Sequence, residues 1–382
     1  MNRTKFILIT DRVPPEKDNI GAYACYLAQS LREQGLDAEV WSLRSSHSDT
    51  LPVRSFAHSH LNVAKMYHLV RALQREDRSV VLWQYNPFLY GGKGLLSLLY
   101  LLPLVLKVTT RCRIAIVFHE ICYRPGRDPR TWAWAVCQRI ALWVSLWGCD
   151  VAITTTHPRR DYIRHFAHRL LPRAKANLTC VTVPVGSNIM AQFQPVPATS
   201  RSSIIRISIF RFGVSRQDAS LLRRLYDDLD HAGLRIQLIF IGGGVPLCQG
   251  RPFHHNDEQP GIVNTGYLPE NDVSRLLSSV DVFIGWYDDG ASGRRTSLAA
   301  AFAHGLCVVS TAGSNTDHDL FRHGQNCLLV RHGDDMALQA TVRVLCEDAQ
   351  LRHRLGYCAH QTYQQDMAWP VIAGKVLEVA DA

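Results

Sequence analysis

Apolar and polar positions alternate along this chain in a repeating order: short apolar runs, polar loops, then stretches with helical spacing. Lys5–Thr10 is an apolar run of strand length. Residues 23–34 place Leu27 and Leu31 on one helical face and close at Gly35, and Asp37–Ser42 has strand character again. Strand, helix, strand is the opening of a parallel α/β sheet. Further on, residues 61–74 have the spacing of a helix, while residues 79–84, Arg113–Phe118, 150–154 and 180–184 have the length and apolarity of buried strands. Residues 131–148 form a long apolar helix holding Trp132, Trp134, Trp143 and Trp147, an aromatic stripe expected to be core. Residues 94–108 are strongly apolar but too short and too interrupted, by Pro103, to cross a bilayer comfortably. A helix packed on the sheet and a helix lying against a membrane both fit that run.

The periodicity fails over residues 191–203, a Pro-, Ser- and Gln-rich linker, and then restarts. A strand over 204–210, a helix over 218–231, the strand Ile236–Ile241, a short strand and turn over 262–268 and a helix over 270–279 repeat the first pattern. The most informative stretch follows. Residues 280–286 and 306–309 are apolar strand segments, and between them Asp288-Asp-Gly-Ala-Ser-Gly-Arg-Arg-Thr-Ser297 leads into an Ala- and Leu-rich helix over 296–304, with Gly305 at its C-terminal cap. Strand, glycine loop and helix with two arginines at the helix start suit a phosphate-bearing ligand, because free N–H groups and guanidinium forks both attract anions. An ordinary loop with solvated arginines is the alternative.

A chain of 382 residues with 47% apolar and 20% charged residues suits a globular protein of two α/β domains. Eleven cysteines without a CxxC pair, and an N-terminus without an export signal, point to free thiols and a cytoplasmic location. The net charge of +9 is uneven. Residues 51–190 alone hold 19 Lys and Arg against 6 Asp and Glu. That balance suits an anionic membrane surface or an anionic acceptor. No nucleic-acid-binding signature accompanies it. The loop after the first strand is not GxGxxG, so a dinucleotide site is not expected. Neither HExxH nor His/Cys ligand spacing is present, and Asp228-Leu-Asp230, Asp317-His-Asp319 and His254-His255 are read as solvated, so no metal and no cofactor are expected.

Several stretches together resemble a known family. Asn19-Ile-Gly-Ala-Tyr23, Val117-Phe-His-Glu120, Pro184-Val-Gly-Ser-Asn188, Phe240-Ile-Gly-Gly-Gly244, Val263-Asn-Thr-Gly-Tyr267, residues 297–310 and Gly324-Gln-Asn-Cys-Leu-Leu-Val330 occur in the order found in GT-B-fold glycosyltransferases of the retaining family 4, the glycosyl transferases group 1. The resemblance implies two Rossmann-like α/β domains whose parallel sheets face a central cleft. It implies an acceptor-side domain over 1–190, onto which residues 368–382 cross back, and a nucleotide-sugar domain over 204–367. It implies transfer of a sugar from a UDP- or GDP-sugar donor to a glycan or lipid-linked acceptor, at the inner face of a membrane, without metal.

By resemblance, His119 contacts the donor sugar or reacting oxygens, with Glu120 as a second candidate. The donor-binding candidates are Gly21, Arg211, Arg216, Gly243, Gly266, Tyr267, Leu268, Ser292, Gly293, Arg294, Arg295, Thr296 and Ser297. The chain departs from the family in one respect. Two glutamates with seven residues between them are usual, and here Ser292 and Ala300 stand at those positions. Asp288, Asp289, Thr296 and Ser297 are possible substitutes. Two further readings therefore stay open: a catalytically degenerate subunit that docks an active partner at a membrane, and a nucleotide-sugar epimerase or phosphorylase.

Overall fold

A computed structural model describes residues 4–16, 18–44, 51–56, 62–76, 79–90, 97–122, 128–172, 178–191, 204–210, 216–242, 251–252 and 259–381. They form two compact units, 1–184 with 369–382, and 185–368. Val185 belongs with the second unit, its N–H donating to Gly293 O at 2.7 Å, six residues earlier than the sequence pattern places the boundary. Of the expected linker, residues 192–203 lie outside the described residues.

In the first unit, β1 (Lys5–Thr10), β2 (Asp37–Ser42), β3 (Val53–Ser55), β4 (Val80–Tyr85), β5 (Arg113–Phe118), β6 (Val151–Thr154) and β7 (Thr179–Thr182) make one parallel sheet in the order β3-β2-β1-β4-β5-β6-β7. In register, Ile9 sits between Trp41 and Trp83, and all three are fully buried or nearly so. The connecting helices are α1 (Asn19–Glu33), α2 (Asn62–Leu73), α3 (Leu102–Thr109, after a 3-10 turn Leu98–Leu101), α4 (Pro129–Trp147) and α5 (His157–Leu170). Helix α1 starts four residues before the apolar spacing does, because the Asp18 carboxylate caps it by accepting from the N–H groups of Ile20 and Gly21. Helices α2 to α5 lie side by side on one face of the sheet and enclose a core that includes Leu69, Leu102, Leu106, Leu142 and Ile163.

Two elements of this unit have no signal in the apolar pattern. Strand β3 has only three residues. Helix α5 buries only Ile163 and Ala167 and is otherwise largely polar, so its apolar face is too narrow to announce a helix. The aromatic stripe of α4 is also not where the pattern puts it. Trp132 is 58% and Trp143 38% exposed, whereas Gln138 and Ser145 are buried. Of the run over 94–108, residues 94–96 lie outside the described residues, and 98–108 are the 3-10 turn and most of α3, which pack on α4 and β5 while leaving Val108 exposed.

The second unit repeats the plan. Strands β8 (Ile205–Phe210), β9 (Ile236–Ile241), β10 (Arg251–Pro252), β11 (Gly261–Asn264), β12 (Val282–Gly285), β13 (Cys307–Ala312) and β14 (Leu328–Arg331) are parallel in the order β10-β11-β9-β8-β12-β13-β14. Helices α6 (Arg216–His231), α7 (Glu270–Leu277), α8 (Thr296–Ala303), α9 (Asp335–Glu347) and α10 (Ala349–Thr362) flank it, and a π turn, Tyr363–Met367, ends the unit. Gly305, at φ +64°, reverses the chain after α8 as the sequence suggested. Strand β10, of two residues, has no signal in the apolar pattern.

The last helix, α11 (Trp369–Asp381), belongs to the first unit. Trp369 stacks on Tyr26 at 5.5 Å and meets Tyr23 edge-on at 5.3 Å, and Gln34 Nε2 donates to Pro370 O at 2.8 Å. No helix among the described residues is long and apolar enough to cross a membrane.

Candidate functional site

Open α/β sheets bind ligands beyond the C-terminal ends of their strands, above all where the strand order reverses. In the second unit the chain moves from β8 outward through β9 to β11, then returns to the other side with β12, β13 and β14. The reversal lies between β8 and β12, and the loop after β12 is the stretch with the two arginines.

That loop is built around one carboxylate. Asp289 Oδ2 accepts from Arg294 at 2.6 Å and from Asn315 Nδ2 at 3.0 Å, while Oδ1 accepts from Arg295. Burial alone would raise this carboxyl, but the Asn315 hydrogen bond and the two guanidiniums outweigh it and hold it at about 2. Arg295 also lies 4.3 Å over the Tyr287 ring, and the Tyr287 hydroxyl meets the Ser297 hydroxyl at 2.7 Å. Gly290 has φ +98°, and a Cβ there would stand 2.2 Å from Thr316 Oγ1, so only glycine lets the loop close this tightly. The result is two cations sharing one anion. They flank the start of α8, where Arg295 is the cap residue and its side chain makes no cap hydrogen bond. Ser292 Oγ and Arg295 Nε are buried without a partner among the described residues. The arrangement keeps a net positive charge at a helix N-terminus, which is what an anion needs.

The same geometry corrects several expectations. Asp289 is held by the arginines, and the Ser297 hydroxyl is held by Tyr287, so neither is a ready substitute for the family's ribose carboxylate. Asp288, with its side chain 80% exposed, and the half-buried Thr296 are left for that role. Ser292 and Ala300 are both fully buried. Asp317 is not solvated: it is buried, and its carboxylate accepts from Leu320 N–H. Asp228 and Asp230 are exposed on α6 as expected.

Gly266, at φ +63°, forms the turn after β11 and bridges to Gly242 after β9, leaving Tyr267 55% exposed and Leu268 partly so. Gly293 is buried in the β12 loop. The strand order therefore lines up the 266–268 turn, Gly242 and residues 292–297 along one edge of the sheet. Arg211, Gly243 and His254-His255 lie outside the described residues, and Arg216 opens α6.

In the first unit, β5 ends in His119 and Glu120. His119 N–H donates to Tyr85 O, its ring meets Tyr23 edge-on at 5.0 Å, and its Nε2 is 2.7 Å from Gln84 Oε1. Burial, reinforced by the charge of Arg159, drives His119 down to about 3, so the ring is neutral at any physiological pH. Arg159, in the first turn of α5, donates to His119 O, to Glu120 Oε2 and, at 3.2 Å, to Thr155 Oγ1. Glu120 is thereby an anchor of the strand end rather than a loose base. Arg159 has no counterpart among the residues singled out from the sequence, because the helix that carries it was itself invisible there.

Gly21 has a different task from the one expected. It sits in the first turn of α1, its N–H goes to the Asp18 carboxylate at 3.1 Å, and a Cβ would meet Arg12 O at 2.1 Å. The missing side chain makes room for the protein's own backbone.

Known proteins resemble this geometry. Residues 214–348 match the family model described as glycosyl transferases group 1. No curated protein sequence matches the chain. Among solved structures, HepE of Anabaena in complex with UDP and glucose superposes with a TM-score of 0.66 at 14% identity, covering 99% of each chain. A sucrose-phosphate synthase of Thermosynechococcus elongatus gives 0.67 at 13% identity, covering 99% of this chain and 98% of that one. WaaG, a glycosyltransferase involved in lipopolysaccharide biosynthesis, gives 0.61 at 15%, covering 98% and 99%. The likeness to these structures gives the chain the GT-B fold, and the family match lies within its second unit.

Proposed function

We propose that this protein is a glycosyltransferase that moves a sugar from a UDP-sugar to a glycan or lipid-linked acceptor in polysaccharide or glycoconjugate synthesis. The observation that carries the reading is the uncapped start of α8 beside Arg294 and Arg295, at the point where the strand order of the second sheet reverses. Sugar transfer builds negative charge on the departing diphosphate. Preorganised cations and helix N–H groups stabilise that charge without reorganising. The turn at Gly266 to Leu268 presents main chain suited to a base, and UDP is favoured over GDP because HepE is described in complex with UDP and with UDP-glucose. His119, a neutral ring, suits a sugar hydroxyl and cannot supply charge to a phosphate. Retention of configuration, a metal-independent reaction, and a cytoplasmic enzyme at an anionic membrane surface complete the proposal. The charge of residues 51–190 supports the last of these.

The test is calorimetric titration of UDP, GDP and their sugar conjugates in excess chelator. Micromolar UDP affinity, reduced at least about a hundredfold in the Arg294→Ala/Arg295→Ala variant, is the expected result. A folded protein that binds no nucleotide would remove the donor-site reading.

One observation favours a second reading, a degenerate docking subunit. Neither Ser292 nor Ala300 supplies a carboxylate, and both are buried. That reading predicts a folded protein without turnover. Donor turnover that needs no acceptor would instead favour an epimerase.

A further inference from the structure

Helix α4 is apolar on both faces, burying Ala141, Leu142 and Leu146 in the core while leaving a second apolar face outward. Its inward face carries Gln138 and Ser145, the latter donating to Tyr100 O at 3.2 Å. Its outward face carries Trp132, Val136, Ile140 and Trp143, which are 58%, 53%, 44% and 38% exposed. Intervals of four, four and three residues place these side chains on one stripe. The neighbouring layer extends the stripe: Leu98 and Val108, on the 3-10 turn and α3 that pack against α4, are 47% and 77% exposed. Scattered exposed apolar residues need no explanation, but four on one helical stripe, two of them tryptophan, do.

Charge decides what covers it. Exposed Arg111, Arg130, Arg164 and Arg169 lie on or beside α3, α4 and α5, and residues 51–190 carry 19 basic against 6 acidic residues. A second copy of the chain would bring the same positive rim against itself. An anionic lipid leaflet matches both parts of the surface: tryptophan prefers the headgroup boundary, and a basic rim is drawn to acidic headgroups. The Trp143 Nε1–H is already satisfied by Leu170 O at 3.0 Å, so burying that ring in lipid leaves no donor stranded.

We propose that the outward face of α3 and α4 is a membrane-docking surface that seats on an anionic lipid leaflet, with Trp132, Ile140 and Trp143 entering the headgroup boundary and the surrounding arginines meeting lipid phosphates. This surface stands independently of the transferase reading, since none of its residues belongs to the donor or His119 sites.

The test is co-sedimentation of the full chain with phosphatidylcholine vesicles with and without phosphatidylglycerol. Expected are binding to the anionic vesicles, a blue shift of tryptophan emission, loss of binding in high salt, and at least about a tenfold weaker partition for Trp132→Ser/Ile140→Ser. Both substitutions are on exposed positions, so the variant should retain the parent's unfolding midpoint and UDP affinity. No binding to anionic vesicles overturns the proposal. So does unchanged partition of the variant, which would make the attraction purely one of charge. Concentration-dependent self-association that the same variant abolishes, without vesicle binding, would assign the face to a second copy instead.

Discussion

The ends of β5 and β12 are built from the same parts and put to opposite use. Each joins a carboxylate in the loop leaving a parallel strand to arginine. After β5 a single guanidinium, Arg159 from α5, meets one carboxylate and one carbonyl, so their charges balance, and burial, reinforced by the Arg159 charge, keeps His119 neutral. After β12 two guanidiniums share Asp289, so positive charge is left over, next to the open start of α8. The number of arginines per carboxylate, more than the presence of arginine, separates a strand end that positions from one that can receive an anion.

Breaking the second arrangement should have the larger effect. Asp289→Asn leaves two half-buried guanidiniums facing each other without their counter-charge. A loss of roughly 2–3 kcal/mol in denaturant unfolding is expected, given what breaking a buried pair costs. An unmoved midpoint would mean that the carboxylate is incidental. Arg159→Leu tests the first arrangement. Releasing the His119 carbonyl and the Glu120 carboxylate should lower turnover about 10- to 100-fold through misplacement, with UDP affinity unchanged. Equal loss in UDP affinity would show that the two strand ends do not divide the work in this way.

Acid stability separates the two groups by pH. His119 is lowered from its ordinary 6.5 to about 3, so the unfolded chain takes up that proton first. Stability should fall as pH drops from 6.5 towards 3, with a slope approaching about 1.4 kcal/mol per pH unit. Asp289 is lowered from 3.8 to about 2, so its contribution is present above the upper value and is lost as pH falls through the lower. His119→Gln should flatten the upper window alone, and Asp289→Asn the lower alone, in unfolding curves taken across pH.

Much of this was legible without coordinates. Strands β1, β2, β5 and β9 were readable to the residue because short, largely apolar segments between helical stretches have few alternatives in a parallel sheet. His119 was found because it ends such a run. The helix α5, and Arg159 with it, was not, since only two of its residues are fully buried and nothing local distinguishes a polar helix from a loop. The roles of Arg294 and Arg295 were legible as charge but not as partnership. Asp289 lies five and six residues before them, and only the turn at Gly290 folds it back. The stripe on α4 misled for the opposite reason: apolar residues announce burial, but not whether protein or another phase provides it.

Asp289 also bears on selectivity. Each guanidinium that would greet a phosphate already holds a carboxylate, so an incoming anion must outbid an occupant fixed in place. A diphosphate brings enough charge to share or displace that occupant; a monophosphate brings less. The loop would therefore separate a nucleoside diphosphate from its monophosphate by more than the contacts of one extra phosphate, and Asp289→Asn should narrow the gap between UDP and UMP.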